Sequence, residues 1–241
     1  MRSAVGLVRS VLALLFWLAA VPLAALVAFP WTLITGDIRF LYWVGMGLAY
    51  AGPRIAGASV KIVGLDKIDP SGTYIFMSNH VSNLDPPLLV PLIPGRTSVL
   101  AKKVIWRIPI LAQALNMAEI VPVEREKREA AIQSIQRAGE VMRHHINMTL
   151  FPEGTRSRDG RLMPFKKGPF HLAIETGFPI VPVTILGTYE MMPKGKMFVR
   201  PGTATLIFHP PIDSRQFSSR EELMEVVRET INSALPEERR H

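Results

Sequence analysis

A chain of 241 residues, 48% of them hydrophobic, has room for one α/β domain of about 180 residues plus an attached apolar segment, and it excludes a second full catalytic domain. The absence of cysteine rules out disulfides, thiolate metal sites and thioester intermediates on the protein, and it fits a reducing compartment. A formal net charge of +8 with a pI near 10.0 favours polyanions, so nucleic acid and an anionic membrane face both begin as candidates.

From Val11 to Gly36 no side chain is charged, and Leu, Ala, Val, Phe and Trp dominate. That composition belongs to a membrane and turns the reading away from nucleic acid. A secretory signal peptide with Arg2 and Arg9 as its basic region is the competing reading, but no Ala-x-Ala pair lies between Ala13 and Ala28, and a second charge-free run follows at Phe40–Pro53. As a helix, Val11–Ala28 would reach roughly 27 Å and Phe40–Pro53 about 21 Å, the second too short to cross a bilayer. Pro22, Pro30, Gly36 and Asp37 interrupt the region, so a helical hairpin dipping into one leaflet and a single span both remain open. We favour re-entry, which leaves both ends on the cytoplasmic side. Residues 1–56 are therefore expected to form a membrane-associated helical segment and residues 57–241 an α/β domain.

After Pro53 short β-rich runs alternate with helical ones, the pattern of an α/β layer fold with a mixed sheet flanked by helices. Strands are predicted at Val60–Val63, Tyr74–Met77, Ser98–Ala101, Ile120–Val123, Met148–Phe151, Ile180–Ile185 and Ala204–Phe208. Helices are predicted at Pro86–Ile93, Arg128–His145, Gly168–Glu175 and Ser219–Leu235. In the second of these Ala131, Ile135, Ala138 and Met142 recur on one face.

The chemistry-bearing residues fall between these elements. Ser78-Asn79-His80-Val81-Ser82-Asn83-Leu84-Asp85 follows a predicted buried strand and joins an imidazole to a carboxylate. A histidine that takes a proton from an alcohol needs a group that fixes its tautomer and stabilises the imidazolium, and a nearby aspartate does both. Asp85 before Pro86 also reads as a helix N-cap worth about 1 kcal/mol. Asn79 and Ser82 read equally as turn residues, and His80 alone as a buried structural histidine. Farther on, Phe151-Pro152-Glu153-Gly154-Thr155-Arg156-Ser157 follows another strand. Gly154 permits a tight backbone path that aims amides at an anion, and Arg156 can grip a phosphate with two bonds; the plain alternative is a β-turn with a surface arginine.

Asn-His-x-x-x-x-Asp followed by Phe-Pro-Glu-Gly-Thr-Arg-Ser resembles the glycerolipid acyltransferases of the 1-acylglycerol-3-phosphate acyltransferase type. The similarity covers roughly Val60–Phe208, with Val121-Pro122-Val123-Glu124-Arg125 and Ile180-Val181-Pro182-Val183 as two further ordered blocks. The family block often carries Ile-Asp-Arg where this chain has Val123-Glu124-Arg125, which puts in doubt whether the acid at 124 faces the site. The resemblance implies His80 as general base and Asp85 as its partner. It places Arg125, Glu153, Gly154, Thr155 and Arg156 around the acceptor's phosphate and backbone, and Lys102 near the acceptor site. It also implies transfer of a fatty acyl group from acyl-CoA or acyl-carrier protein to the sn-2 hydroxyl of 1-acylglycerol 3-phosphate, forming phosphatidic acid in phospholipid biosynthesis, at the cytoplasmic face of the inner (plasma) membrane. Neither metal nor other cofactor is required by a donor that is already a thioester, and no nucleic-acid partner is expected.

Three rivals stand beside this reading. The same His and Asp would serve another lysophospholipid, glycerol 3-phosphate or a lyso-aminolipid as acceptor. A metal hydrolase built on His80, Asp85 and Glu153 would need further clustered ligands, and the remaining histidines lack zinc-type spacing. A basic membrane-binding protein without turnover would explain the charge and leave the ordered motifs unexplained.

Overall fold

The computed structural model describes residues 2–124 and 128–240. Two helices come first, α1 (Arg2–Thr35) and α2 (Arg39–Ile55). Gly36, at φ 71°, reverses the chain between them, and the Asp37 side chain accepts from the Arg39 amide at 2.8 Å to start α2. The two helices lie against each other, and the Trp17 indole donates to the Leu48 carbonyl at 2.8 Å. The expected hairpin is therefore present, but Pro22 and Pro30 do not break its first arm: both lie inside one continuous helix. A proline ring removes one N–H and crowds one carbonyl, and an apolar helix of this length has enough remaining bonds to absorb that.

Most of α1 is uncovered. Leu23, Leu26, Leu33 and Ile34 are each 66–84% exposed, and Ala4–Thr35 is long and apolar enough to cross a membrane. Its first turns nevertheless dock on the domain, where Ala13 is buried and the Ser10 hydroxyl accepts from the Val199 amide at 2.9 Å. Helix α2 is tied down by Tyr42, whose hydroxyl accepts from the Thr97 amide at 2.8 Å.

The rest is a seven-stranded sheet: β1 (Ala58–Val63), β2 (Ile75–Ser78), β3 (Thr97–Lys102), β4 (Val121–Val123), β5 (Asn147–Leu150), β6 (Ile180–Leu186) and β7 (Gly202–Phe208). Their order is β1-β7-β6-β2-β5-β3-β4, and only the β6–β7 pair is antiparallel. All seven predicted strands are present. Helices α3 (Asp85–Leu89), α5 (Arg128–Met142), α6 (Lys167–Thr176) and α8 (Arg220–Ser233) match the four predicted ones, and α4 (Pro109–Met117) and the single turn α7 (Thr188–Met191) were not foreseen.

Alternation along the strands sorts the core into two faces. Ile75 and Met77 of β2 join Met148, Leu150, Phe170 and Leu172 on one side. Phe76 joins Val181, Val183 and Phe208 on the other. On α5, Ile135, Ala138 and Met142 are buried as the spacing required; the Ala131 side chain lies outside the described residues. Because β2, β3, β4, β5 and β6 all run the same way, their carboxyl ends share one edge, where the loops of a parallel sheet gather.

Two glycines between β6 and β7 separate backbone strain from steric collision. Gly187 has φ 85°, and a Cβ there would sit 2.2 Å from the Thr203 carbonyl oxygen, whereas Gly195 has φ 90° with nothing within 4 Å. Both alanine variants therefore carry the left-handed penalty of about 1–2 kcal/mol, and Gly187→Ala is expected to lose about 1–3 kcal/mol more because backbone must move. Denaturant unfolding of the two variants measures the difference; equal losses would mean that the β6–β7 backbone yields freely.

Candidate active site

At the carboxyl end of β2 the chain folds around one buried carboxylate. Asp85 Oδ2 accepts from His80 Nδ1 at 2.8 Å, from the Val81 amide at 2.8 Å and from the Ser82 amide at 2.7 Å. Asp85 is fully buried and His80 is 9% exposed. With Nδ1–H donating to the carboxylate, Nε2 is left as the acceptor nitrogen of the ring, the arrangement a general base requires. Asp85 is the first residue of α3 and caps no amide of that helix. The capping reading is thus replaced: the carboxylate faces backward, to the loop that precedes it.

Other parts of the loop are held from outside. The Asn79 amide group exchanges two bonds with the Ile185 backbone, at 2.9 and 2.7 Å, so Asn79 splices the loop to β6. The Ser82 hydroxyl donates to the Met192 carbonyl at 2.7 Å and accepts from the Leu84 amide at 3.1 Å. The Phe151 ring stacks on the imidazole, centroids 4.2 Å apart and planes 27° apart. That contact fixes the ring plane and brings the second motif, at the end of β5, against the first.

Glu153 of the second motif faces inward. Its carboxyl oxygens accept from the His80 amide at 2.6 Å and the Met163 amide at 3.0 Å, and the His80 carbonyl accepts from the Ser157 amide at 2.8 Å. Glu153 is thereby a brace behind the histidine backbone. Burial pushes its carboxyl up to about 8; the amides of His80 and Met163 oppose the shift, Asp85 adds to it and Arg228 opposes it. Burial prevails over the hydrogen bonds because the group is almost fully withdrawn from water.

Gly154, at φ 73°, makes the turn that follows, its amide donating to the Phe151 carbonyl at 2.9 Å. Thr155 is exposed and Arg156 half-buried. Lys102 stands exposed at the end of β3. Beside it Lys103 pairs with Glu124 at 2.5 Å, so this carboxylate answers a lysine of the neighbouring strand end. Arg125 lies outside the described residues. Sequence reasoning missed Lys194, whose ammonium donates to the Thr155 hydroxyl at 3.2 Å and the Arg156 carbonyl at 2.8 Å. Pro193-Lys194-Gly195, just beyond α7, reads in sequence only as a turn.

Two apolar cavities flank these loops. One, of about 330 Å³, is lined by Leu100, Val123, Ile135, Leu150, Phe151 and Gly154. The other, of about 380 Å³, lies between α1, α2 and the loops, lined by Leu14, Trp17, Pro53, Leu84, Pro87 and Met192. Among the described residues no three His, Asp or Glu side chains gather within reach of one ion.

Comparison with known proteins follows this geometry. Residues 59–186 match the acyltransferase family. A 1-acyl-sn-glycerol-3-phosphate acyltransferase of Limnanthes douglasii is 41% identical over 162 residues, covering 66% of this chain and 57% of that protein. One of Borreliella burgdorferi is 31% identical over 179 residues, covering 73% of this chain and 72% of that protein. The crystal structure of the 1-acyl-sn-glycerophosphate acyltransferase of Thermotoga maritima superposes with a TM-score of 0.81 at 27% identity, covering 96% of this chain and 95% of that one. The chain spans about half the length of the first plant relatives it matches, 57%, 56% and 44% of them. The chain belongs to the acyltransferase family.

The raised Glu153 carboxyl makes a stability prediction. An unfolded glutamate titrates near 4.5 and the folded one near 8, so between these values the folded state holds a proton that the unfolded state has released, and stability falls as pH rises. Glu153→Gln removes the titration. The stability of wild type relative to Glu153→Gln is expected to decline from pH 5 to pH 8, at up to about 1.4 kcal/mol per pH unit, and to level off above. Unfolding curves for both proteins across this range check it; parallel pH profiles would show that the buried carboxyl titrates normally.

Proposed function

We propose that this member of the acyltransferase family moves a fatty acyl group from acyl-CoA or acyl-carrier protein to the sn-2 hydroxyl of 1-acylglycerol 3-phosphate, forming phosphatidic acid. The observation that carries the reading is the buried contact of His80 Nδ1 with Asp85 Oδ2 at 2.8 Å, which reserves Nε2 for the acceptor. The named activity of the relatives from Limnanthes douglasii, Borreliella burgdorferi and Thermotoga maritima supports the same substrate.

In this reaction Nε2 of His80 takes the proton of the acceptor hydroxyl as its oxygen adds to the thioester carbonyl. The tetrahedral adduct collapses, the carbon–sulfur bond breaks, and the departing thiolate receives the proton from the imidazolium. Asp85 stabilises the imidazolium in between. Base catalysis of this kind contributes about 10²–10⁴-fold, and positioning must supply much of the rest. Arg156, with Arg125 and Lys102, is assigned to the acceptor phosphate, and Gly154 and Thr155 shape that loop. Glu153 is assigned the backbone of His80. The reaction draws on no cofactor beyond the donor.

The apolar cavities beside both loops suit fatty chains, which favours a lyso-lipid over glycerol 3-phosphate as acceptor. The uncovered face of α1 supports membrane association of residues 1–56, with residues 57–241 as the acyltransferase domain. Because soluble thioester donors are cytoplasmic, we place the site at the cytoplasmic face of the inner (plasma) membrane.

The test is an assay of the purified full chain that crosses lysophosphatidate, other lysophospholipids, a lyso-aminolipid and glycerol 3-phosphate with acyl-CoA and acyl-carrier-protein donors. Lysophosphatidate is expected to be preferred, and absence of turnover with every pair would leave a membrane-binding protein. His80→Ala should lower turnover at least about 100-fold without loss of fold. Asp85→Asn, which keeps the shape but weakens imidazolium stabilisation, should lower it less. Arg156→Ala should raise the acceptor KM by about 10- to 150-fold, the equivalent of one lost charged hydrogen bond. If Arg156→Ala raised only the donor KM, the arginine would belong to the carrier's phosphates.

A further inference from the structure

The segment after α7 touches both motif loops at once. Ser82, inside the loop that closes on Asp85, bonds the Met192 carbonyl at 2.7 Å and pairs with Pro193 as an isolated antiparallel bridge. One residue on, the Lys194 ammonium donates to the Thr155 hydroxyl and the Arg156 carbonyl. Its ordinary role would be that of a strap, but both of its hydrogen-bond partners among the described residues are neutral oxygens. Among the described residues no carboxylate lies within ion-pair distance of Lys102, Arg156, Arg158 or Lys194. These four cations come from the end of β3, the loop after β5 and the loop after β6, which places them together at the carboxyl edge of the sheet. Partial desolvation, and then the charges of Arg158, Arg156 and Lys102, hold the Lys194 ammonium below the ordinary lysine range. Some cations of the chain do find carboxylates, Lys103 with Glu124, Lys167 with Glu221 and Arg215 with Asp213, so what marks these four is that they stand together. A cluster of like charges with no counter-charge among the described residues is a standing cost that a bound anion would relieve.

We infer that Lys194 is an acceptor-binding residue: its ammonium, held against the Arg156 loop by Thr155 and the Arg156 carbonyl, contacts the phosphate monoester of the acceptor together with Arg156. The inference rests on the proposed reaction and extends it by a residue that neither motif contains. An ammonium has three protons, so two bonds to the loop leave one for a phosphate oxygen. The strap and the contact are then one device, in which the phosphate is gripped by a group already anchored to the loop carrying the second cation. Preorganisation of this kind lowers the entropy lost on binding.

The experiment measures steady-state kinetics of the full chain with lysophosphatidate and acyl-CoA for wild type, Lys194→Met, Lys194→Gln, Lys194→Arg and, as a charge control, Lys61→Met on edge strand β1. Lys194→Met and Lys194→Gln are expected to raise the acceptor KM at least tenfold, with kcat and donor KM within threefold. Lys194→Arg should recover most of the acceptor affinity, and Lys61→Met should stay within twofold of wild type throughout. An acceptor KM within twofold of wild type in both neutral variants would overturn the inference, as would a loss confined to kcat, the mark of a strap alone, or one confined to donor KM. Unfolding midpoints of the variants identify any that fail to fold, and the arginine and glutamine variants decide in that case. Failure of the proposed reaction looks different: wild type itself would then show no preference for a phosphorylated acceptor, and this inference would fall with it.

Discussion

One carboxylate oxygen organises the site. Asp85 Oδ2 gathers the His80 ring and the amides of Val81 and Ser82, and this is possible only because the chain doubles back within the five positions that separate His80 from Asp85. The aspartate is fully buried, so water cannot substitute for these donors, and each lost bond would strand a buried polar group at a cost of about 1–3 kcal/mol. The same atom therefore determines loop shape and imidazole tautomer. Local folding and chemistry cannot be separated here, which is why aspartate starts α3 without capping it.

The loop would still be free to tilt as a body were it not fastened on three sides. Asn79 splices it to the β6 backbone, Glu153 holds the His80 amide from behind, and Ser82 is tied to the segment after α7. The fastenings come from β6 itself, from the loop after β5 and from the segment after α7, and parallel packing of β2, β5 and β6 brings the first two beside the end of β2. The Phe151 stack adds a fourth restraint, on the plane of the ring itself. These redundant ties to rigid strands hold the imidazole in one place, which matters for chemistry in which a misplacement of about 1 Å can cost about 100-fold in rate.

Most of this architecture was legible in the sequence because short continuous apolar runs between turns mark strands buried on both faces, and a strand centre such as Ile75-Phe76-Met77 has no polar residue to mislead. The elements missed are those whose pattern is too short to show a period: α4, nine residues, and α7, four. The prolines of α1 misled for another reason, since in water Pro22 and Pro30 would end a helix, whereas an apolar helix keeps its remaining backbone bonds. At the site, the motifs identified His80, Asp85 and the loop through Arg156, but spacing alone did not distinguish a cap from a base's partner at Asp85, nor a substrate contact from a backbone brace at Glu153. Lys194 was invisible because its significance comes from tertiary contacts with Thr155 and Arg156, far away in sequence.

The apolar hairpin and the basic strand edge make sense together. A lyso-lipid has a chain that belongs in hydrocarbon and a phosphate that belongs in water, and under the proposed reaction its hydroxyl has to reach Nε2 without either end leaving its medium. The cavity lined by Leu14 and Trp17 of α1 and by Leu84 and Met192 lies between the apolar helices and the site loops. Under the proposed reaction the chain would stay against α1 and α2 while the phosphate meets Arg156 and its neighbours. Burying the chain beside α1 also withholds water from the thioester, the competing nucleophile that a general base would otherwise activate. Docking of the first turns of α1 onto the domain, through Ser10 and Ala13, fixes the start of that helix against the site loops. Helix α1 is on this view part of the acceptor site as well as an anchor.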